Sequence, residues 1–230
     1  MSKKLGAKIG WKYAIGEIVL IFIGITMAIW FNNWNESKKE RTIEIKSLKE
    51  IREAIRLDLD DIEINIEGFS KRTELYALLI NHLENDMPPN KKLKELFPYF
   101  LGITTFLSNI GPYETLKSRG IAIITNDTIR NKVSRYYDLE YEKVQTDEKL
   151  HHDHYREYLK PLLMEHFDLS TPLIQPLDYE TLVKDNTFKQ SVYWAYRTDS
   201  FMLNIYKRMD AKGKELLNDL EKELKRLEGI

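Results

Sequence analysis

The sequence predicts an all-α protein: an N-terminal transmembrane helix that continues into a long-helix antiparallel bundle with coiled-coil-like seams. Three observations predict it. An uncharged apolar run lies near the start. Apolar residues then recur at steps of three and four over long stretches, the spacing of one helix face. Turn formers are scarce, with Gly 10 and Pro 7 in 230 residues, too few for an all-β fold.

The apolar run is the strongest signal. Ile18 to Asn35 is 18 residues without a charge, and extending back to Tyr13 adds only Glu17. A bilayer core of about 30 Å needs roughly 20 helical residues. Trp11 and Tyr13 stand at one end and Trp30 and Trp34 at the other, as interfacial anchors do. The run ends in bulky Ala28-Ile29-Trp30-Phe31 and not in the small residues of a signal-peptide cleavage site. The lipid bilayer is therefore the expected partner. The division that follows is a basic tail at 1–12, a transmembrane helix at 13–35 and a helical extramembrane bundle at 36–230.

Within the run, Gly16, Gly24 and Ala28 are candidate membrane-helix contacts, because small residues let helices approach closely in lipid. The competing reading is that glycine is simply common in membrane helices. Glu17 has two readings as well: it snorkels or protonates near the interface, or it hydrogen-bonds another copy of the span. Lys3, Lys4, Lys8 and Lys12 precede the span, while Lys38, Lys39, Arg41, Lys46 and Lys49 follow it. That tally is close to even. The compact lysine cluster in a short tail favours a cytoplasmic N-terminus, since long domains translocate largely regardless of charge.

These residues resemble the opening of an uncharacterised bacterial family of single-span membrane proteins. The likeness rests on Tyr13-x-x-Gly16-Glu17-Ile18, Gly24-Ile25-x-x-Ala28 and Asn33-Trp34-Asn35-Glu36. A second block adds Tyr113-x-x-Leu116-Lys117-Ser118-x-Gly120, then Asn126-x-x-Ile129-Arg130 and Tyr136-Tyr137. The resemblance implies an anchor and a helical extramembrane domain in the bacterial inner (cytoplasmic) membrane. It implies no activity and no catalytic residue.

After the span, Leu48, Ile51, Ile55, Leu59, Ile62, Ile66 and Phe69 form a seam on one long helix from Glu36 to about Leu83, which Gly68 bends or splits. Asp86-Met87-Pro88-Pro89-Asn90 is a turn. Lys91–Asn109 reads as helical, kinked at Pro98, with Leu96, Phe97, Phe100, Leu101 and Leu107 on its apolar face. Pro112 opens a short helix that Gly120 ends, and Ile121–Ile124 is a buried connector. Asn126 or Asp127 caps a helix ending near Pro161, with Ile129, Val133, Tyr137, Val144, Tyr155, Leu159 and Leu162 inward and a polar gap at Gln145–Lys149. A loop with Pro172 and Pro176 and a short helix over Asp178–Lys184 follow. Asn186 then caps a final helix of about 40 residues, its seam running through Val192, Tyr196, Leu203, Tyr206, Leu216, Leu220, Leu224 and Leu227.

Chemistry is harder to find. Lys+Arg 35 against Asp+Glu 36 gives a net charge of −1, which excludes nucleic-acid binding by bulk charge. Cys 0 removes disulfides, thiolate metal sites and cysteine nucleophiles. No phosphate-loop, dinucleotide, serine-hydrolase or zinc-protease motif occurs, so no catalytic or cofactor-binding residue and no cofactor is assigned. Glu148, His151 and His154 have metal-ligand spacing, but a carboxylate-bridged centre needs a second such motif, and a solvated polar face is the plainer reading. Asp58, Asp60, Asp61 and Glu63 lack the glycine and the twelfth-position Glu of a calcium loop and read as a solvated face. The aromatics in Tyr136–Tyr158 and Tyr193–Tyr206 are either core or the lining of a ligand pocket.

The expectation is a non-enzymatic, membrane-anchored protein, a homo-oligomer that self-associates or presents a partner-binding surface. The alternative is an oligomeric sensor or effector whose bundle binds a small ligand and whose spans assemble, as a pore in the extreme case, with Glu17, Thr26 and Asn32 as its polar residues.

Overall fold

The structure, a computed structural model, describes residues 10–171 and 173–229. The tail lysines Lys3, Lys4 and Lys8 and the loop residue Pro172 lie outside the described residues.

One helix organises the chain. α1 runs from Trp11 to Glu84 without interruption, about 110 Å at a rise of roughly 1.5 Å per residue. No proline occurs in it, so no backbone N–H is lost to break the ladder. Its first part is bare and apolar: the most hydropathic window has none of its residues buried, and this helix is long and apolar enough to cross a membrane. From Arg41 onward the same helix enters the fold, and the predicted seam is its inner face. Leu48, Ile51, Ile55, Ile62 and Phe69 are fully buried.

Gly68 does not split α1. A Cβ built there would lie 3.0 Å from Thr104 Cγ2, so the glycine makes room for the chain crossing outside it.

Two other long helical runs pack on α1. α8 spans Asn186–Glu228 and lies antiparallel to α1. Arg41 Nη2 donates to the Leu227 carbonyl at 2.8 Å, Arg56 Nη2 to Glu221 at 2.8 Å, and Tyr193 Oη to Glu84 at 2.8 Å. The third run joins α4 (Asp127–Arg135), α5 (Glu142–His154) and α6 (Lys160–His166) through π-helical turns at Tyr136–Tyr141 and Tyr155–Leu159. Pro161 accounts for the second π turn. Its ring crowds the carbonyl four residues back and it has no N–H to give, so the turn before it widens. This run is antiparallel to α8, as shown by Asn126–Glu223 at one end and His151–Asp199 at the other.

The caps follow elementary rules. Asn126 Oδ1 accepts from the Thr128 and Ile129 amides, which settles that cap on Asn126. Asp185, not Asn186, caps α8, its Oδ1 accepting from Thr187 N at 2.7 Å and Phe188 N at 3.1 Å; the helix begins one residue earlier than the acidic side chain's rival suggested. Gly229 ends α8 in the left-handed region, φ 76°.

The connections depart from expectation in three places. The apolar stretch after Asn90 is helical only as α2 (Lys91–Leu96) and a 3₁₀ turn over Phe97–Leu101, and residues 102–110 form neither helix nor strand. Leu101 and Leu107 are therefore exposed, not on a buried helical face. Next comes α3, Gly111–Arg119, with Pro112 in its first turn and Gly120 (φ 101°) at its end. Ile121–Ile123 is a 3₁₀ turn with none of its residues buried, so of the expected buried connector Ile121–Ile124 only Ile124 is buried, a turn that short leaving its other side chains at the surface. A two-residue pairing, β1 (Phe167–Asp168) with β2 (Gln175–Pro176), closes the loop before α7 (Tyr179–Leu182).

The apolar core divides into two clusters along the bundle. One holds Leu48 to Phe69 of α1 with Met202 to Leu227 of α8; the other holds Leu75 to Leu83 with Phe188, Val192 and Ala195. Gly213 sets the closest approach of α8 in the first cluster, because a Cβ there would lie 2.9 Å from Leu59 Cδ2 and 3.4 Å from Tyr136 Cε2. Gly213→Leu should therefore overpack this contact and cost about 1–3 kcal/mol, read as a lowered midpoint of thermal unfolding. An unchanged midpoint would contradict the packing.

Candidate functional site

Between the two apolar clusters lies a polar layer. Arg72 of α1 and Asp199 of α8 meet there with side chains 3 % and 2 % exposed. Arg72 Nε donates to Asp199 Oδ2 at 2.7 Å, and Nη1 donates to the Gly102 carbonyl. The guanidinium carbon sits 4.2 Å from the centre of the Phe69 ring, a cation–π contact in a desolvated place. His151 of α5 adds its Nε2 to Asp199 Oδ1 at 2.5 Å, so one carboxylate ties together all three long runs.

One turn away, Glu148 accepts from the Phe106 amide at 2.7 Å, from Gln145 Nε2 at 3.3 Å and from the Tyr206 hydroxyl. It is buried, and burial raises its carboxyl above the ordinary value of 4.5. Asp58, fully buried, accepts from the Asn109 amide at 2.6 Å and from Ser108 Oγ at 3.2 Å. Burial raises it too. Asp61 accepts from the Leu107 amide at 3.0 Å. Asp58 thus does not lie on a solvated face, and within the polar gap at Gln145–Lys149 Glu148 is turned inward while Thr146 and Lys149 are exposed.

These residues share a partner. Residues 102–110 form an irregular strap laid across α1 and α5, with no helix or ladder to satisfy its backbone. The amides of Phe106, Leu107 and Asn109 go to Glu148, Asp61 and Asp58, and the carbonyls of Gly102, Thr104 and Phe106 go to Arg72, His152 and Gln145. Buried backbone groups must be paired, and here ionisable side chains pair them. The second connector repeats the device, with the Thr125 amide and hydroxyl both donating to buried Glu44 at 2.8 Å.

The metal candidates have other partners in the fold. Glu148 turns to the strap and His151 to Asp199, while His154 stacks on Tyr158 at 5.0 Å and lies 5.5 Å from Trp194. Among the described residues no group of three or more His, Asp or Glu is gathered for a metal ion. The aromatics divide as well. Tyr136, Tyr137 and Tyr206 are core, whereas Tyr158 and Trp194 are exposed.

The membrane-helix candidates all lie on the bare part of α1. Gly16, Glu17, Gly24 and Ala28 are exposed, and a Cβ built at Gly16 or Gly24 meets nothing within 4 Å. Trp11, Tyr13, Trp30 and Trp34 are exposed, and Lys38 Nζ sits 3.9 Å from the centre of a Trp34 ring. Asn32 is exposed, while the Thr26 hydroxyl donates to the Phe22 carbonyl at 2.8 Å.

Sequence reading missed Arg72, Asp199 and Glu44, and placed the buried Asp58 on a solvated face. The signal was present: Arg72 follows Phe69 by three and Asp199 follows Tyr196 by three, so charged residues occupy inward seam positions.

Two predictions follow from these contacts. Asp199→Ala leaves Arg72 buried without its counter-ion and should cost about 3–5 kcal/mol. The paired change Arg72→Met with Asp199→Leu should cost less than that single change, because no charge is stranded; a larger loss in the pair would mean that the layer holds the fold by more than charge. The second prediction concerns pH. Glu148 holds its proton more tightly folded than unfolded, so its contribution to stability falls as pH rises from 4.5 through its raised value and is level above that. Glu148→Gln does not titrate, so its stability relative to wild type should improve across that window, as measured by unfolding midpoints from pH 4 to 8. The opposite slope would contradict a carboxyl raised by burial.

In comparisons with known proteins, a family model described only as a family of unknown function, DUF6090, matches residues 17–161. No curated protein and no solved structure matches. The match takes in α1 from Glu17, the strap and the run through α5, more than half of the chain, and the chain belongs to the DUF6090 family.

Proposed function

We propose that this chain is a non-enzymatic protein of the bacterial inner membrane. A single span at the start of α1 anchors it, and the bundle self-associates or presents a surface to a partner. The observation that carries the reading is that one unbroken helix has a bare apolar end and a buried bundle end. Exposing that much apolar surface to water is costly, and lipid removes the cost. About 15 Å of helix separates Trp34 from the first buried residue, Glu44, at ~1.5 Å per residue, so the bundle stands close to the interface.

The absence of enzymatic activity is supported by the use to which the buried carboxylates are put, since Asp58 and Glu148 are engaged on backbone amides. Homo-oligomerisation is supported by the bare face at Gly24 and Ala28. The cytoplasmic N-terminus and outward bundle rest on the compact lysine cluster before the span. A second reading, an oligomeric ligand sensor or effector, draws on a groove of about 330 Å³ between α4 and α8, lined by Lys132, Arg135, Tyr136, Glu140 and Lys212.

Anchoring and orientation are tested together. The full chain should resist alkaline carbonate extraction, and an alkaline phosphatase fused at Ile230 should be active. Extraction would remove the anchor, and an inactive phosphatase beside a bright fluorescent-protein fusion would turn the bundle inward. Self-association should weaken in Gly24→Leu, which adds bulk where helices would approach, with membrane-helix contacts worth about 1 kcal/mol. Cross-linking equal to wild type would move the contact from the span to the bundle.

A further inference from the structure

Three buried nitrogen atoms of the polar layer have no partner in the protein: Arg72 Nη2, His151 Nδ1 and His154 Nε2. Their residues line one small cavity between α1, α5 and α8, together with Ala195, Thr198 and Asp199. The cavity holds about 10 Å³ of space for a water-sized molecule, and one ordered water needs roughly 10–15 Å³ on that measure. It is bordered by Tyr155 and Leu159, the two ends of the second π turn, and π turns recur at ligand sites.

The hydrogen-bonding character of the cavity narrows the occupant. Arg72 Nη2 is only a donor. His151 Nε2 faces a carboxylate and carries a ring proton toward it, and Nδ1 opens on the cavity. His154 brings Nε2 to the same space, with burial lowering the basicity of its ring. A metal cation is opposed by the Arg72 charge. A polyatomic anion is too large for about 10 Å³. A water molecule both donates and accepts, so it serves all three atoms whichever proton each ring carries.

We propose that the polar layer contains a binding site for a single water molecule, which accepts from Arg72 Nη2 and hydrogen-bonds to His151 Nδ1 and His154 Nε2. The water is a structural ligand. It bridges α1 to α5 beside the Arg72–Asp199 pair and completes the hydrogen bonding of a guanidinium that would otherwise be buried with one nitrogen unpaired. Three hydrogen bonds are the usual complement of an internal water.

Ala195 gives the test, because a larger side chain there grows into this space. Thr and Val have the same shape, and only Thr brings a hydroxyl to take the water's place. The full chain in mild detergent should show the unfolding midpoint of Ala195→Val at least ~3 °C below that of Ala195→Thr, the scale of one stranded buried polar group. A Val midpoint equal to or above that of Thr would mean a dry cavity that gains from apolar filling, and would overturn the proposal. Should neither variant fold, a high-resolution crystal structure of the wild-type chain decides it. Ordered density within ~3.2 Å of Arg72 Nη2 and of a histidine nitrogen supports the site, and an empty cavity overturns it.

Discussion

From Trp11 to Glu84 the backbone of α1 keeps one hydrogen-bonded ladder, and that continuity constrains everything else in the molecule. Its first turns present apolar side chains all round, and its later turns present a single inner seam on which α8 and the α4–α6 run pack. A helix cannot rotate one half without the other. The face that meets the rest of the bundle therefore fixes, through about 1.5 Å of rise and 100° of turn per residue, which face of the bare segment points where. On the proposed reading, tilt or rotation of the span is delivered directly to the bundle, with no flexible joint to absorb it.

The interior of the bundle is not uniform. Two apolar clusters are separated by the layer of Arg72, Asp199 and His151, and the irregular strap at residues 102–110 is held by Asp58, Asp61, Glu148, Arg72, His152 and Gln145. The two features have one cause. A segment that crosses helices without forming a helix or a ladder brings its amides and carbonyls into the fold, and those groups need partners. Charged partners make the strong bonds, at the expense of burying ionisable groups. That expense appears as the raised carboxyls of Asp58 and Glu148. Buried carboxylates with shifted titration are a common mark of active sites, and here they are accounted for by backbone clamping.

Much of this fold is written in residue spacing. The bare segment, the seam from Leu48 to Phe69 and the seam of α8 follow from apolar periodicity, because packing against a neighbour demands an apolar residue every three or four positions. The strap was not legible. Leu96, Phe97, Phe100, Leu101 and Leu107 look like one apolar helix face, yet Leu101 and Leu107 are exposed, since the helical stretch ends at Leu101 and the chain runs on as irregular backbone. Its clamps were equally hidden. Asp58 among Asp60, Asp61 and Glu63 has the local appearance of a solvated acid, and only the chain passing near Asn109, about fifty positions on, makes it a buried acceptor. His151 was visible as chemistry but not as structure, because its partner Asp199 lies 48 positions away.

The most direct measurement of the account is the distance along α1 across the junction between its bare and packed parts. The chain has Cys 0, so cysteines placed at exposed Ile25 and Glu53 carry the only spin labels. In lipid, the backbone separation of these positions on one straight helix is about 42 Å at ~1.5 Å per residue, and a single narrow distance distribution near that value is the predicted result. A broad distribution, or one displaced well below it, would mean that the helix breaks between Asn32 and Lys39 and that the bundle hangs from its anchor on a hinge.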